Sequence, residues 1–139
     1  MTRREKEARR EEIMGIAYSL AADAIEMLLG ELEWKEEEDL ERIASLNYLE
    51  KEDLEEENLQ KILEKLEKGE EGIEWEKIRD IAGSIFDTCD APFDDHKFES
   101  IEELAALLLL FPFLDLEGDG YCSKKEEREA KKLLETIEL

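Results

Sequence analysis

An all-α fold is what this sequence predicts: about six helices packed around a buried central helix (residues 100–113), in a single domain over residues 1–139. Three observations carry that expectation. Apolar residues recur at spacings of three and four along almost the whole chain, and strand-like alternation is absent. Leu, Ile, Ala, Glu and Lys dominate, with no Val, one Gln and one His, and the dominant residues favour helices. Ser or Thr followed three residues later by Glu, the capping-box pattern, opens several of the apolar runs.

The first helix starts at once, because Thr2 and Glu5 form such a box. Ile13, Ile16, Ala17, Leu20, Ala24, Met27 and Leu28 make its inward stripe. Gly30 ends it, or it continues to Trp34. A short second helix fits residues 36–46, with Leu40, Ile43, Ala44 and Leu46 inward and Asn47 as its stop. Asp53 with Glu56 caps a third, lined by Leu59, Ile62, Leu63 and Leu66 and closed by Gly69. The fourth runs from about Glu74 to Phe86, with Trp75, Ile78, Ile81, Ala82 and Ile85 inward. Pro92 interrupts the irregular stretch that follows. Ser100 and Glu103 then cap the helix carrying Leu104, Leu107 to Leu110 and Phe111. That helix is apolar on every side, which is the pattern of a buried one. The last fits residues 124–138, with Ala130, Leu133, Leu134 and Ile137 inward.

Charge narrows the partners. With 41 acidic and 19 basic residues the net charge is −22, which repels nucleic acid and anionic lipid and attracts cations and basic protein surfaces. The expected partner is a basic protein or an amphipathic helix, with no nucleic acid and no membrane, and the chain is expected to be monomeric. The N-terminus "MTRREKEARREE" is charged from its start, unlike a signal peptide. The longest unbroken apolar run, "LAALLLLFPFL", falls short of the roughly 18 residues of a membrane span. Cys89 and Cys122 flank a predicted helix whose ends lie roughly 20 Å apart, against the ~7 Å a disulfide allows between Cα atoms. Reduced thiols and a cytoplasmic setting follow. The narrow residue alphabet resembles that of an engineered sequence or of an unusually biased natural one.

One stretch carries specific chemistry. In "DLEGDGYCSKKE", Asp115 to Glu126, oxygen-bearing side chains stand at the first, third, fifth, ninth and twelfth places and Gly120 at the sixth. Calcium is a hard cation that takes six to eight oxygens, and this is the spacing that supplies them from one loop. Asp115, Glu117 and Asp119 offer carboxylates, Tyr121 its backbone carbonyl, Ser123 a hydroxyl directly or through water, and Glu126 both carboxylate oxygens. The stretch resembles an EF-hand loop, and "DGYCS" is similar to the run common there. It departs in three ways: Glu at the third place is a methylene too long, Cys122 stands where an aliphatic residue is usual, and no second loop lies at the usual distance. An unpaired site of this kind implies weak binding, about 10⁻⁴ to 10⁻³ M. The same residues also read as a turn at Asp119-Gly120 followed by a capping box, Ser123 with Glu126.

Weaker resemblances compete. "DDHKFE", Asp94 to Glu99, resembles the aspartate-rich magnesium motif of class I terpene synthases, which are more than twice this length and carry a second metal motif not found here. His96 stands alone, without zinc-type partners. Trp34 near the end of the first helix, "GIEW" (Gly72 to Trp75) opening a helix, and an apolar central helix resemble the apoptosis-regulator fold of the B-cell-lymphoma-two family. That resemblance implies an apolar groove for a partner helix, with Lys77 standing where the family has an arginine. The acid clusters Glu36–Asp39, Glu50–Glu57 and Glu70–Glu76 suit a mimic of the nucleic-acid backbone or, more simply, solvated helix faces. No catalytic set emerges. The expectation is a non-enzymatic helical protein with a single low-affinity calcium site. A helix-groove module, a metal-free designed scaffold and an acidic mimic are the alternatives.

Overall fold

The computed structural model describes residues 2–70, 72–89, 92–93 and 97–137. Among them there is no strand. The helices are α1 (Arg3–Leu32), α2 (Glu37–Leu46), α3 (Glu56–Lys68), α4 (Trp75–Gly83), α5 (Ile85–Thr88), α6 (Ile101–Leu110) and α7 (Lys124–Thr136), with a 3-10 turn at Lys51–Leu54. The all-α expectation holds, and each expected helix is present. By contact the chain forms two compact units, Met1–Leu20 with Asp94–Leu139, and Ala21–Phe93. Helix α1 runs unbroken through both sets.

In the first of these units, α6 packs along α7. The Thr2 hydroxyl accepts from Glu5 N–H at 3.2 Å, so α1 begins where its capping box says. Arg9 reaches Glu102 at 3.0 Å and ties α1 to α6. None of the ten residues of α6 is exposed, and Phe111 just beyond it is 0% exposed. That burial is what an all-round apolar helix requires. Ser100 caps α6 by accepting from Glu103 N–H at 3.2 Å. The helix stops at Leu110, because Pro112 pushes Phe111 out of the helical region, to φ −126 and ψ 73.

In the other unit, α2 and α3 both pack on the 3-10 turn. Asp53 does not open α3. Its carboxylate accepts from Glu50 N–H at 2.9 Å and closes a capping box on the 3-10 turn instead. From there it also meets Lys77 of α4 at 2.8 Å. Gly69 ends α3 in the left-handed region at φ +63, as its position predicts, with its N–H and that of Glu70 donating to Leu66 and Lys65. The expected fourth helix is broken in two. Buried Ser84 turns its hydroxyl onto the Asp80 carbonyl at 3.1 Å, and at this residue, beside Gly83, the backbone bonds shorten to the three-residue kind, Ser84 N–H to Ile81 and Asp87 N–H to Ser84. Asn47 ends α2 and bonds Asp87 of α5 at 2.7 Å.

Of the two ends expected for α1, Gly30 is passed and the helix stops at Leu32, short of Trp34. Two side-chain expectations need correction. Met27, expected inward, is exposed, because the buried stripe runs through Ala21, Ala24, Ile25 and Leu28 and leaves residue 27 outside it. Leu46 is exposed as well, since burial on α2 is confined to Ile43 and Ala44 and the chain turns away at Asn47. Among the described residues, α1 is the one helix long and apolar enough to cross a membrane, with a mean hydropathy of 1.4 over 18 residues. That stretch is 39% buried, and a helix of the same length and hydropathy also occurs in the core of a soluble protein.

Candidate functional site

The loop between α6 and α7 is built by its own backbone. Leu114 N–H returns to the Phe111 carbonyl at 3.1 Å, and Leu116 is fully buried as an anchor. Around that anchor the chain closes a compact turn. Asp119 N–H donates to Asp115 O at 2.8 Å, Gly120 N–H to Glu117 O at 3.1 Å, and Tyr121 N–H to Leu116 O at 2.9 Å. Gly120 sits at φ +82, where a side chain would be strained. The Asp115 carboxylate folds back over the turn and accepts from Gly118 N–H at 3.2 Å. A Cβ at residue 118 would meet that carboxylate, so a larger residue there would require the Asp115 side chain to move aside. Tyr121 meets Phe98 edge-on, with ring centroids 5.7 Å apart.

The far end of the loop is a closed capping box. Glu126 N–H donates to Ser123 Oγ at 3.2 Å, and Ser123 N–H donates to Glu126 Oε1 at 3.1 Å. The Ser123 backbone N–H first, and then the Ser123 hydroxyl, hold the Glu126 carboxyl below its ordinary range. Removing the hydroxyl in Ser123→Ala should cost about 1 kcal/mol and fray the first turn of α7. Urea unfolding would read this, and an unchanged midpoint would mean that the box adds nothing to stability.

One residue was not singled out from the sequence. Glu127 is buried, accepts from Glu117 N–H at 3.0 Å, and pairs with Lys131 at 2.9 Å. The Lys131 bond and then the Glu117 N–H bring its carboxyl below the ordinary range. This side chain fastens the turn to α7. Its i,i+4 relation to Lys131 was visible in sequence, although many exposed pairs share that spacing.

The structure therefore brings Ser123 and Glu126 together and turns Asp115 inward over the loop. Asp115, Glu117 and Asp119 stay exposed. Among the described residues no three His, Cys, Asp or Glu side chains group as ready metal ligands. Glu126, the expected closing ligand, is engaged as a cap. Cys122 is half-buried, and burial, with Glu126, Glu127 and Glu117 nearby, pushes its thiol up. It is a poor nucleophile. Cys89 is a free, half-buried thiol too.

Asp94, Asp95 and His96 of the "DDHKFE" stretch lie outside the described residues. In the "GIEW" turn Gly72 takes φ +82 and Trp75 opens α4, half-buried. Lys77 is already paired with Asp53. Comparison with known proteins finds no matching family model, no matching curated protein and no matching solved structure.

Proposed function

We infer that this is a non-enzymatic, acidic helical protein whose Asp115–Glu126 loop takes one calcium ion weakly. The observation that carries the reading is the loop backbone. Gly120 is left-handed, Asp115 folds inward, and Asp115, Glu117 and Asp119 stand exposed around one turn without a Lys or Arg ion pair among the described residues. Asp115, Glu117, Asp119, Ser123 and Glu126 would hold the ion by side-chain oxygens and Tyr121 by its carbonyl. The ion would supply charge neutralisation where carboxylates crowd. Weakness follows from the cap, because Glu126 must leave Ser123 N–H to serve as a ligand. The long side chain at Glu117 adds to it.

Calorimetric titration of calcium into chelator-stripped protein tests this, with magnesium in excess and about 0.1 M salt to suppress loose counter-ion binding. One saturable site of about 10⁻⁴ to 10⁻³ M is expected. Glu126→Gln should abolish it with helix content unchanged. A glutamine at this place still accepts from Ser123 N–H, so the variant removes the ligand and keeps the cap. No saturable heat, or binding that survives Glu126→Gln, would return the loop to a turn and a helix cap.

A further inference from the structure

A cleft between α3 and α4 stands apart from the acidic surface around it. It encloses about 410 Å³, inside the roughly 300–1,000 Å³ span of small-molecule sites. Ile62, Ile73 and Ile78 form its apolar wall, and Lys61, Lys65 and Lys77 line it as well. Ile78 is buried while Ile62 and Ile73 are half-buried, so apolar surface remains open to the cleft.

The lysines are not equivalent. Lys77 is held by Asp53 at 2.8 Å, which neutralises that carboxylate and makes the pair a fixed wall. Lys61 meets Glu57 at 3.5 Å with both side chains largely exposed, a contact worth only tenths of a kcal/mol. Lys65 lies one helical turn from Lys61 on the same face and pairs with no carboxylate among the described residues. Among the described residues Glu74 is the remaining acid in the lining. In a chain with 41 acidic and 19 basic residues, three lysines thus stand against Asp53 and Glu74 around one apolar concavity, and Lys65 is the one of them without an ion pair among the described residues.

We propose that the α3–α4 cleft binds an organic anion of the aliphatic-carboxylate class, its tail on Ile62, Ile73 and Ile78 and its head on Lys65 and Lys61. The apolar wall supplies affinity by burial. The ammonium groups supply charge-assisted hydrogen bonds and exclude neutral tails. The site lies in residues 53–78 and is independent of the calcium loop.

The test is an amide NMR titration of the full chain with sodium decanoate, in calcium-free buffer below micelle formation, beside 1-decanol. Saturable shifts confined to amides near residues 61–65 and 72–78 are expected. Binding at least about tenfold weaker is expected for decanol and for Lys65→Glu. Lys65 is exposed near the end of α3, so its replacement leaves the fold intact, and an unchanged remainder of the spectrum checks this. Equal binding of decanol would make the cleft a merely greasy patch and overturn the proposal. Shifts scattered over the molecule, full affinity in Lys65→Glu, or no binding up to the solubility of decanoate would overturn it equally.

Discussion

Replacing Phe111 by alanine should lower the stability of the fold by about 3–5 kcal/mol. Phe111 is 0% exposed and is among the largest fully buried side chains. It sits at the point where α6 ends, its N–H on the Leu107 carbonyl at 2.8 Å, and Pro112 fixes the exit of the chain. The backbone is thus held on both sides and cannot relax into the space an alanine would leave, which is the condition under which a cavity is most costly. Two residues on, Phe113 is 62% exposed and touches the Phe111 ring at 6.2 Å between centroids. Phe113→Ala should therefore cost at most about 1 kcal/mol, the worth of one aromatic contact beyond its area. In urea the two variants should part clearly. With a slope of about 1–3 kcal/mol/M, Phe111→Ala should move the midpoint down by roughly 1–5 M. Equal midpoints for the two would mean that Phe111 is not a core residue. Neutral polar residues are few in this chain, so the contrast between buried and exposed apolar positions carries much of its specificity.

Local signals in the sequence were legible because local chemistry decides them. Thr2 with Glu5, Ser100 with Glu103 and Ser123 with Glu126 all cap where their spacing says they should, and Gly69 adopts the left-handed cap its position implies. Pro112 is likewise sufficient to stop α6. What escaped prediction depends on partners distant in sequence. Asp53 had two chances to cap, and it serves the 3-10 turn, from which it also reaches Lys77. Met27 and Leu46 fit an inward face by spacing. However, α1 is apolar over so wide an arc that periodicity alone cannot say which edge of the stripe is covered. Ser84 stands at the break between α4 and α5 with a hydroxyl bonded to Asp80 that could equally have faced solvent. In the candidate loop, the turn and the left-handed glycine were readable from Asp119-Gly120. The posture of each carboxylate was not, because it depends on which backbone N–H groups are unsatisfied nearby. The choice of Glu126 as cap and Glu127 as clasp follows from two such donors, at Ser123 and Glu117.

Among the charged side chains of the loop region, Glu127→Ala should be the most damaging change, at about 1–3 kcal/mol near neutral pH. The side chain is buried, and its two oxygens are both committed, one to Glu117 N–H and one to Lys131. Deleting it leaves the Glu117 N–H without its acceptor and frees the turn from α7. The sign of the pH dependence follows from the same bonds. Lys131 first, and then the Glu117 N–H, favour the ionised carboxylate and hold its folded pKa below the ordinary value of 4.5. The folded protein therefore gains stability from this group above the unfolded pKa and loses it as pH falls through the lower, folded value. Wild type and Glu127→Ala should differ most at neutral pH and converge as the solution is acidified through and below that range. A Lys131→Ala variant should lose part of the same stability and should be less damaging than Glu127→Ala, because the bond to Glu117 survives. Parallel stability curves for wild type and Glu127→Ala across the acid range would refute an ionised clasp and leave only packing. With calcium absent throughout, the experiment also separates the two ways of holding this loop. Glu127 fastens it to α7 through protein bonds alone, so the helix pair should stay folded whether or not the carboxylates at 115, 117 and 119 find a cation.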